Sequence, residues 1–245
     1  MLTERSNLSK EEIRRRIWSL MEESNIARFP RPSYGRIPNF IGSDIAARRL
    51  AEREEFKQAK VIKVNPDSPQ NMVRYLTLLN GKILVMPTPR LKSGFLILDP
   101  SRIPRRAYRE ASSIHGAFKY GGACSISEIP HVDLIVAGSV AVSRDGVRVG
   151  KGGGYSEIEY GILHEIGAVD ENTPIFTTVH DVQVVDFVPK EIYDLTVNAI
   201  ITPTKIVEIG HVGERPKGII WDKISVERIM DIPILAQLKK SRPLI

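Results

Sequence analysis

Short apolar runs alternate with helical periodicities along most of the chain. Ile13, Ile17, Leu20 and Met21 recur at helical spacing, and Ser9 followed by Glu12 reads as a capping box, so a first helix is predicted over 10–23. The polar, proline-containing stretch 28–39 reads as a loop, and Ser43 starts a second helix reaching about Lys57. Residues 61–64, 82–87 (KILVMP), 133–137 (DLIVA), 174–179 and 199–202 read as strands. Between them, Ser68-Pro69 opens a helix that Gly81 ends, 104–113 forms another, and 156–166 is a helix closed by Gly167. A C-terminal helix spans 224–238, and 87–130, with its prolines and arginines, is the expected excursion from the sheet. Val- and Ile-rich runs separated by helices predict a three-layer α/β architecture, a mainly parallel central sheet with helices on both faces. The expectation is one domain over residues 1–245, since no repeat, low-complexity tract or interdomain linker stands out.

Composition changes this picture little. Hydrophobic residues at 42% and charged residues at 26% suit a globular core. No apolar run approaches the roughly 20 residues of a membrane-spanning helix. Residues 1–10 are polar, without the apolar segment of a signal peptide, so the expected location is the cytoplasm and no membrane partner is expected. Cys124 is the one cysteine, which excludes an intrachain disulfide and a cysteine-based zinc site; without a His-bearing motif beside it, packing is its expected role. The five histidines are dispersed, and His180-Asp181 falls at a strand end, where neighbouring side chains point oppositely and form no dyad.

The net charge of +6 favours anionic partners. Arg14–Arg16, Arg48-Arg49 and Arg105-Arg106 are basic clusters, but aromatic residues total 7% and no RNA-recognition or zinc pattern accompanies them, so nucleic acid is not the expected partner.

The most informative stretch is 133–165, DLIVAGSVAVSRDGVRVGKGGGYSEIEYGILHE. A buried strand runs into a turn at Asp145-Gly146; then Arg148, Gly150, Lys151, Gly152, Gly153 and Gly154 precede a helix directly. Clustered glycines let successive amides point into one cavity as an anion nest. The helix start adds its positive end, and Arg148 and Lys151 add full charges. These are the parts of a phosphate cradle; the alternative is a turn with no ligand. The spacing is not that of a Walker A loop, and Glu157 stands where the third glycine of a dinucleotide fingerprint belongs.

The run Arg148-Val149-Gly150-Lys151-Gly152-Gly153-Gly154-Tyr155-Ser156-Glu157 resembles the phosphate loop of the 5-formyltetrahydrofolate cyclo-ligase family. Lys10-Glu11-Glu12-Ile13-Arg14 is similar to that family's N-terminal K-x-x-L-R, with the two cations on one helix face. Gly81-Lys82 with ILVMP, then Gln183 and the Pro189–Asp194 segment, extend the likeness over nearly the whole chain. Departures mark a divergent branch. Val142-Ser143 replace a Phe-Asp, Tyr155-Ser156-Glu157 replaces Tyr-Tyr-Asp, and Gln70 or Asn71 stands where an acid is expected.

The resemblance implies a cyclo-ligase-like, Rossmann-like fold and ATP- and Mg²⁺-dependent closure of 5-formyltetrahydrofolate, or a related formyl-pterin, to 5,10-methenyltetrahydrofolate with release of ADP and phosphate. Phosphoryl transfer of this kind needs positioning and charge neutralisation more than a protein nucleophile. Lys10, Arg148 and Lys151 are then the catalytic cations, and Arg14, Gly150, Gly152, Gly153, Gly154 and Tyr155 hold the nucleotide or line its pocket. Glu157 holds Mg²⁺, with Asp194 as second candidate. The alternative reading is a nucleotide- or phosphate-binding module of the same fold without turnover.

Overall fold

The computed structural model describes residues 8–241. Ser9 caps the first helix, α1 (Lys10–Glu23): the Glu12 amide donates to its hydroxyl, and the Glu12 carboxylate accepts from the Ser9 amide at 2.8 Å. The loop after it carries a short ribbon, β1 (Ala27–Arg28) with β2 (Asn39–Phe40). The helix expected over 43–57 is two, α2 (Ser43–Ala51) and α3 (Glu54–Gln58). Arg53 turns extended between them, and the bend buries Phe56.

The sheet then begins with β3 (Val61–Val64), α4 (Asn71–Leu79) and β4 (Ile83–Pro87). The expected excursion over 87–130 instead extends the sheet. β5 (Phe95–Leu98) folds back antiparallel on β4, short helices α5 (Tyr108–Ala111) and α6 (Ile114–Tyr120) come next, and β6 (Gly122–Ala123) forms the edge. The FLIL run has the composition of a strand, but its proline- and arginine-rich flanks obscure it. The helix expected over 104–113 is α-helical over Tyr108–Ala111 alone, after a 3-10 turn at Arg105–Ala107, and Ser113 turns extended to cap α6, accepting from the Gly116 amide at 2.9 Å.

β7 (Leu134–Ala137) leads into a second small sheet of β8 (Ala141–Ser143) and β9 (Arg148–Val149), which delivers the glycine loop to α7 (Tyr155–Glu165). β10 (Ile175–Thr178) returns to the main sheet, β11 (Val184–Val185) pairs with β8, and β12 (Ala199–Ile201) and β13 (Ile206–Glu208) complete the other edge. The predicted last helix divides into α8 (Val226–Asp231) and α9 (Pro233–Ser241) at Ile232, which is extended, as a residue before proline prefers.

The main sheet runs β13-β12-β10-β7-β3-β4-β5-β6, parallel across its five central strands and antiparallel at both edges. Two cores lie on its two faces. Ile62, Val64, Leu134 and Val136 join the core on one face, while Val61 and Ile135 join the other, the period-2 alternation of doubly covered strands. From β3 the chain steps outward to β4, then crosses back to β7 on β3's other side. Ligands of open α/β sheets bind beyond the carboxyl ends of the strands where the order reverses. Here that crevice lies past Val64 and Ala137. Among the described residues no helix is long and apolar enough to cross a membrane.

Candidate functional site

The glycine loop closes over that crevice. The Gly150 carbonyl accepts from Arg14 Nε of α1 at 2.8 Å, fastening the N-terminal helix to the loop. Gly152 has φ +100°, a conformation L side chains rarely adopt, and Gly154 precedes the first turn of α7. The loop is therefore backbone-walled where it meets the crevice.

Two clefts flank it. One, of about 620 Å³, is lined by Lys10, Arg14, Arg148 and the loop glycines on one side. The second, of about 470 Å³, is lined by Asn65, Asp67, Thr88, Arg90, Lys151 and Glu159. Both include Arg148, Gly150, Gly153, Gly154 and Glu157, so these five residues form a shared wall.

Each predicted cation is found beside a carboxylate. Lys10 Nζ reaches both Asp194 oxygens at 2.7 and 2.6 Å and lies 5.3 Å from the Tyr193 ring. Arg148 is buried; it donates to the Gly138 carbonyl at 2.9 Å and to Glu157 Oε1 at 2.7 Å, which spans the gap from β7 to α7. Its Nε is buried with no partner, spare donor capacity in the shared wall. Lys151 bonds Asp67 at 2.9 Å and belongs to the second cleft, apart from Lys10 and Arg14. Tyr155 lines the second cleft, and Arg228 stacks 4.6 Å from its ring.

Glu157 and Asp194 do not converge on one point with a third ligand: among the described residues no group of three or more His, Cys, Asp or Glu could hold a metal. Asp194 is also taken up by the Glu191 amide at 2.7 Å, so both its oxygens are occupied. Glu157 has Oε1 on Arg148 and borders both clefts. A single carboxylate at the edge of a cleft suits Mg²⁺, which keeps several waters and is held by one or two carboxylates together with substrate phosphates.

Sequence reasoning missed the buried group under the second cleft. Lys63 lies on the face of β3 that meets α7 and bonds Glu159 Oε2 at 2.5 Å and Asn65 at 3.1 Å; Asn65 also reaches Ser156 at 3.2 Å. Burial pushes the Glu159 carboxyl up, and the Lys63 ammonium opposes that shift. The signal was a lysine inside the apolar run VIKV. Asp67 and Arg228 had none.

The polar residues at the departures serve structure. Ser143 donates to Asp145 and to the Val147 carbonyl, closing the β8–β9 turn. Gln70 donates to Thr178 Oγ1 at 3.1 Å, and Asn71 to the Ser112 carbonyl at 3.0 Å. His180 accepts from the Val182 amide through Nδ1, while Asp181 accepts from Thr202, so the two do not form a dyad.

Residues 6–203 match the 5-formyltetrahydrofolate cyclo-ligase family. The chain belongs to that family. It is 43% identical over 240 residues to the methenyltetrahydrofolate synthase domain-containing protein of Bos taurus, covering 96% of this chain and 63% of that one. The Homo sapiens protein of the same name is 42% identical over 237 residues, with 95% and 62% covered. This cyclo-ligase family member thus spans less than two thirds of those relatives' length. The solution structure of 5,10-methenyltetrahydrofolate synthetase from Aquifex aeolicus superposes with a TM-score of 0.53 at 17% identity, covering 84% of this chain and 96% of that one, a likeness of fold.

Proposed function

We propose that this chain catalyses ATP- and Mg²⁺-dependent closure of 5-formyltetrahydrofolate, or a related formyl-pterin, to the 5,10-methenyl product, with release of ADP and phosphate. The observation that carries the reading is the shared wall: two clefts of ligand size meet at one glycine loop, so two ligands can face each other across a phosphate cradle. The cleft holding Lys10 and Arg14 takes the nucleotide, and the polar cleft over Asn65, Thr88 and Glu159 takes the pterin.

The chain's own groups position and neutralise. Amides of Gly150–Gly154 and the first turn of α7 face the phosphates, as at other helix N-termini. Lys10 and Arg14 supply charge from α1, and Arg148 braces the loop from beneath. Lys151, from the other cleft, faces the incoming formyl group's side. Glu157 would hold Mg²⁺, which when bound neutralises phosphate oxygens. Such a step asks for positioning and charge neutralisation and requires no nucleophile–base pair. The expected working location is the cytoplasm.

The test is an absorbance assay for methenyl product with 5-formyltetrahydrofolate, ATP and Mg²⁺. Product formed only when all three are present is the expected result. A second reading, nucleotide binding without turnover, is favoured by Ser143 and Gln70, whose side chains are spent on structure where acids are expected. ATP binding by calorimetry with no product at any folate concentration would select it.

A further inference from the structure

The family match ends at residue 203, yet one side of the nucleotide cleft is built by residues 216–228. The segment is locked down at its start. Arg215, buried, donates to the carbonyls of Thr196 at 3.0 Å and Thr173 at 2.9 Å. The chain then crosses α7 at Gly161, where a Cβ would sit 3.0 Å from Ile219 Cγ1 and 3.2 Å from the Gly218 carbonyl oxygen. A Cβ at that position would press its neighbours back by a few tenths of an ångström, so the glycine favours the close approach. Glu165 of α7 accepts from Trp221 Nε1 at 3.3 Å, continuing the seam.

Held this way, Ile219, Ile220 and Ile224 line the cleft that Lys10, Arg14 and the glycine loop also line. Ile219 and Ile224 pack into the adjoining core, whereas Ile220 is packed into neither core and stands half-buried at the cleft. The cleft thus has a cationic, amide-rich part and an apolar part. A ligand that satisfies both carries phosphates at one end and a flat, poorly hydrated ring at the other, as a purine nucleoside triphosphate does.

We propose that this isoleucine wall, supplied by residues outside the family match, is the surface that recognises the nucleotide's base. The inference rests on the nucleotide reading of the site and adds a division of labour. The cradle binds phosphate whatever is attached to it, and Ile220 selects for an attached ring.

Titration calorimetry with ATP and with inorganic triphosphate, at equal Mg²⁺, separates the two ideas. Wild type should bind ATP at least about tenfold more tightly than triphosphate, an advantage apolar burial of a ring readily supplies. Ile220→Asn should shrink that ratio several-fold toward one while triphosphate affinity stays unchanged, and Ile220→Ala should move it the same way by less. Equal affinity of wild type for both ligands, an unchanged ratio in the folded variants, or a parallel loss of both ligands would overturn the base-recognition proposal and leave the cradle standing. Wild type binding neither ligand would instead overturn the nucleotide reading itself.

Discussion

Arg14 Nε donates to the Gly150 carbonyl at 2.8 Å across 136 positions of sequence, and the same guanidinium pairs with Glu11 at 3.1 Å. One planar group therefore holds α1 and the glycine loop together. A lysine has neither the fork nor the second donor nitrogen. Arg14→Lys should weaken ATP binding, because Arg14 lines the nucleotide cleft, and should also lower stability by about 0.5–1.5 kcal/mol, the net worth of a lost hydrogen bond. Calorimetry beside a thermal melt measures both. Unaltered affinity would mean the loop needs no such fastening.

Gly150 and Gly152 should respond differently to substitution. At Gly150 the backbone needs no positive φ, and a Cβ would lie 3.3 Å from Arg148 Nη1, in the wall both clefts share. Gly150→Ala should keep the fold and lower nucleotide affinity. At Gly152, φ is +100°, so an alanine is strained whether or not a ligand binds, and stability should fall by about 1–2 kcal/mol. Valine at Gly152 would confound loop strain with lost binding, which makes Gly150 the cleaner probe. Urea unfolding and ATP titration of both variants decide the matter; equal stability losses would contradict this assignment.

Lys63 and Glu159 form a buried pair, 3% and 5% exposed in their side chains, so removing one partner strands the other. Lys63→Met should destabilise by about 3–5 kcal/mol, and adding Glu159→Gln should recover part of that loss. The pH dependence has a definite sign. Burial raises the Glu159 pKa in the fold, so its favourable contribution is present at low pH and is lost as pH rises through the raised value. Without Lys63 that rise grows. The penalty of Lys63→Met should therefore be smaller near about pH 5 than near about pH 8. Urea unfolding at both values measures it, and a pH-independent penalty would show that Glu159 is not the stranded group.

Much of the fold was legible in the chain. Ser9 and Glu12 cap α1 through interactions three residues apart, and the apolar runs at 61–64, 83–87, 134–137, 175–178 and 199–201 carry their own burial pattern. The glycine loop was legible too, because clustered glycines between a strand and a helix have few purposes. These are local features, written in consecutive residues. The break at Arg53 was less visible, since it trades helix propensity for the burial of Phe56 against distant residues, whereas the cap at Ser113 and the proline after Ile232 are local signals.

The pairing of charges was decided by tertiary structure alone. The family resemblance made Lys10, Arg148 and Lys151 the catalytic cations of a single site. The fold gives each a carboxylate, Asp194, Glu157 and Asp67, and divides them between two clefts. It also brings the Ile219–Ile224 wall to the loop, through a close approach to α7 at Gly161. A residue's chemistry is local, but its partner and its dielectric surroundings are set by which strand ends the sheet order brings together. In this chain that order places the ends of β3 and β7 side by side beneath the glycine loop.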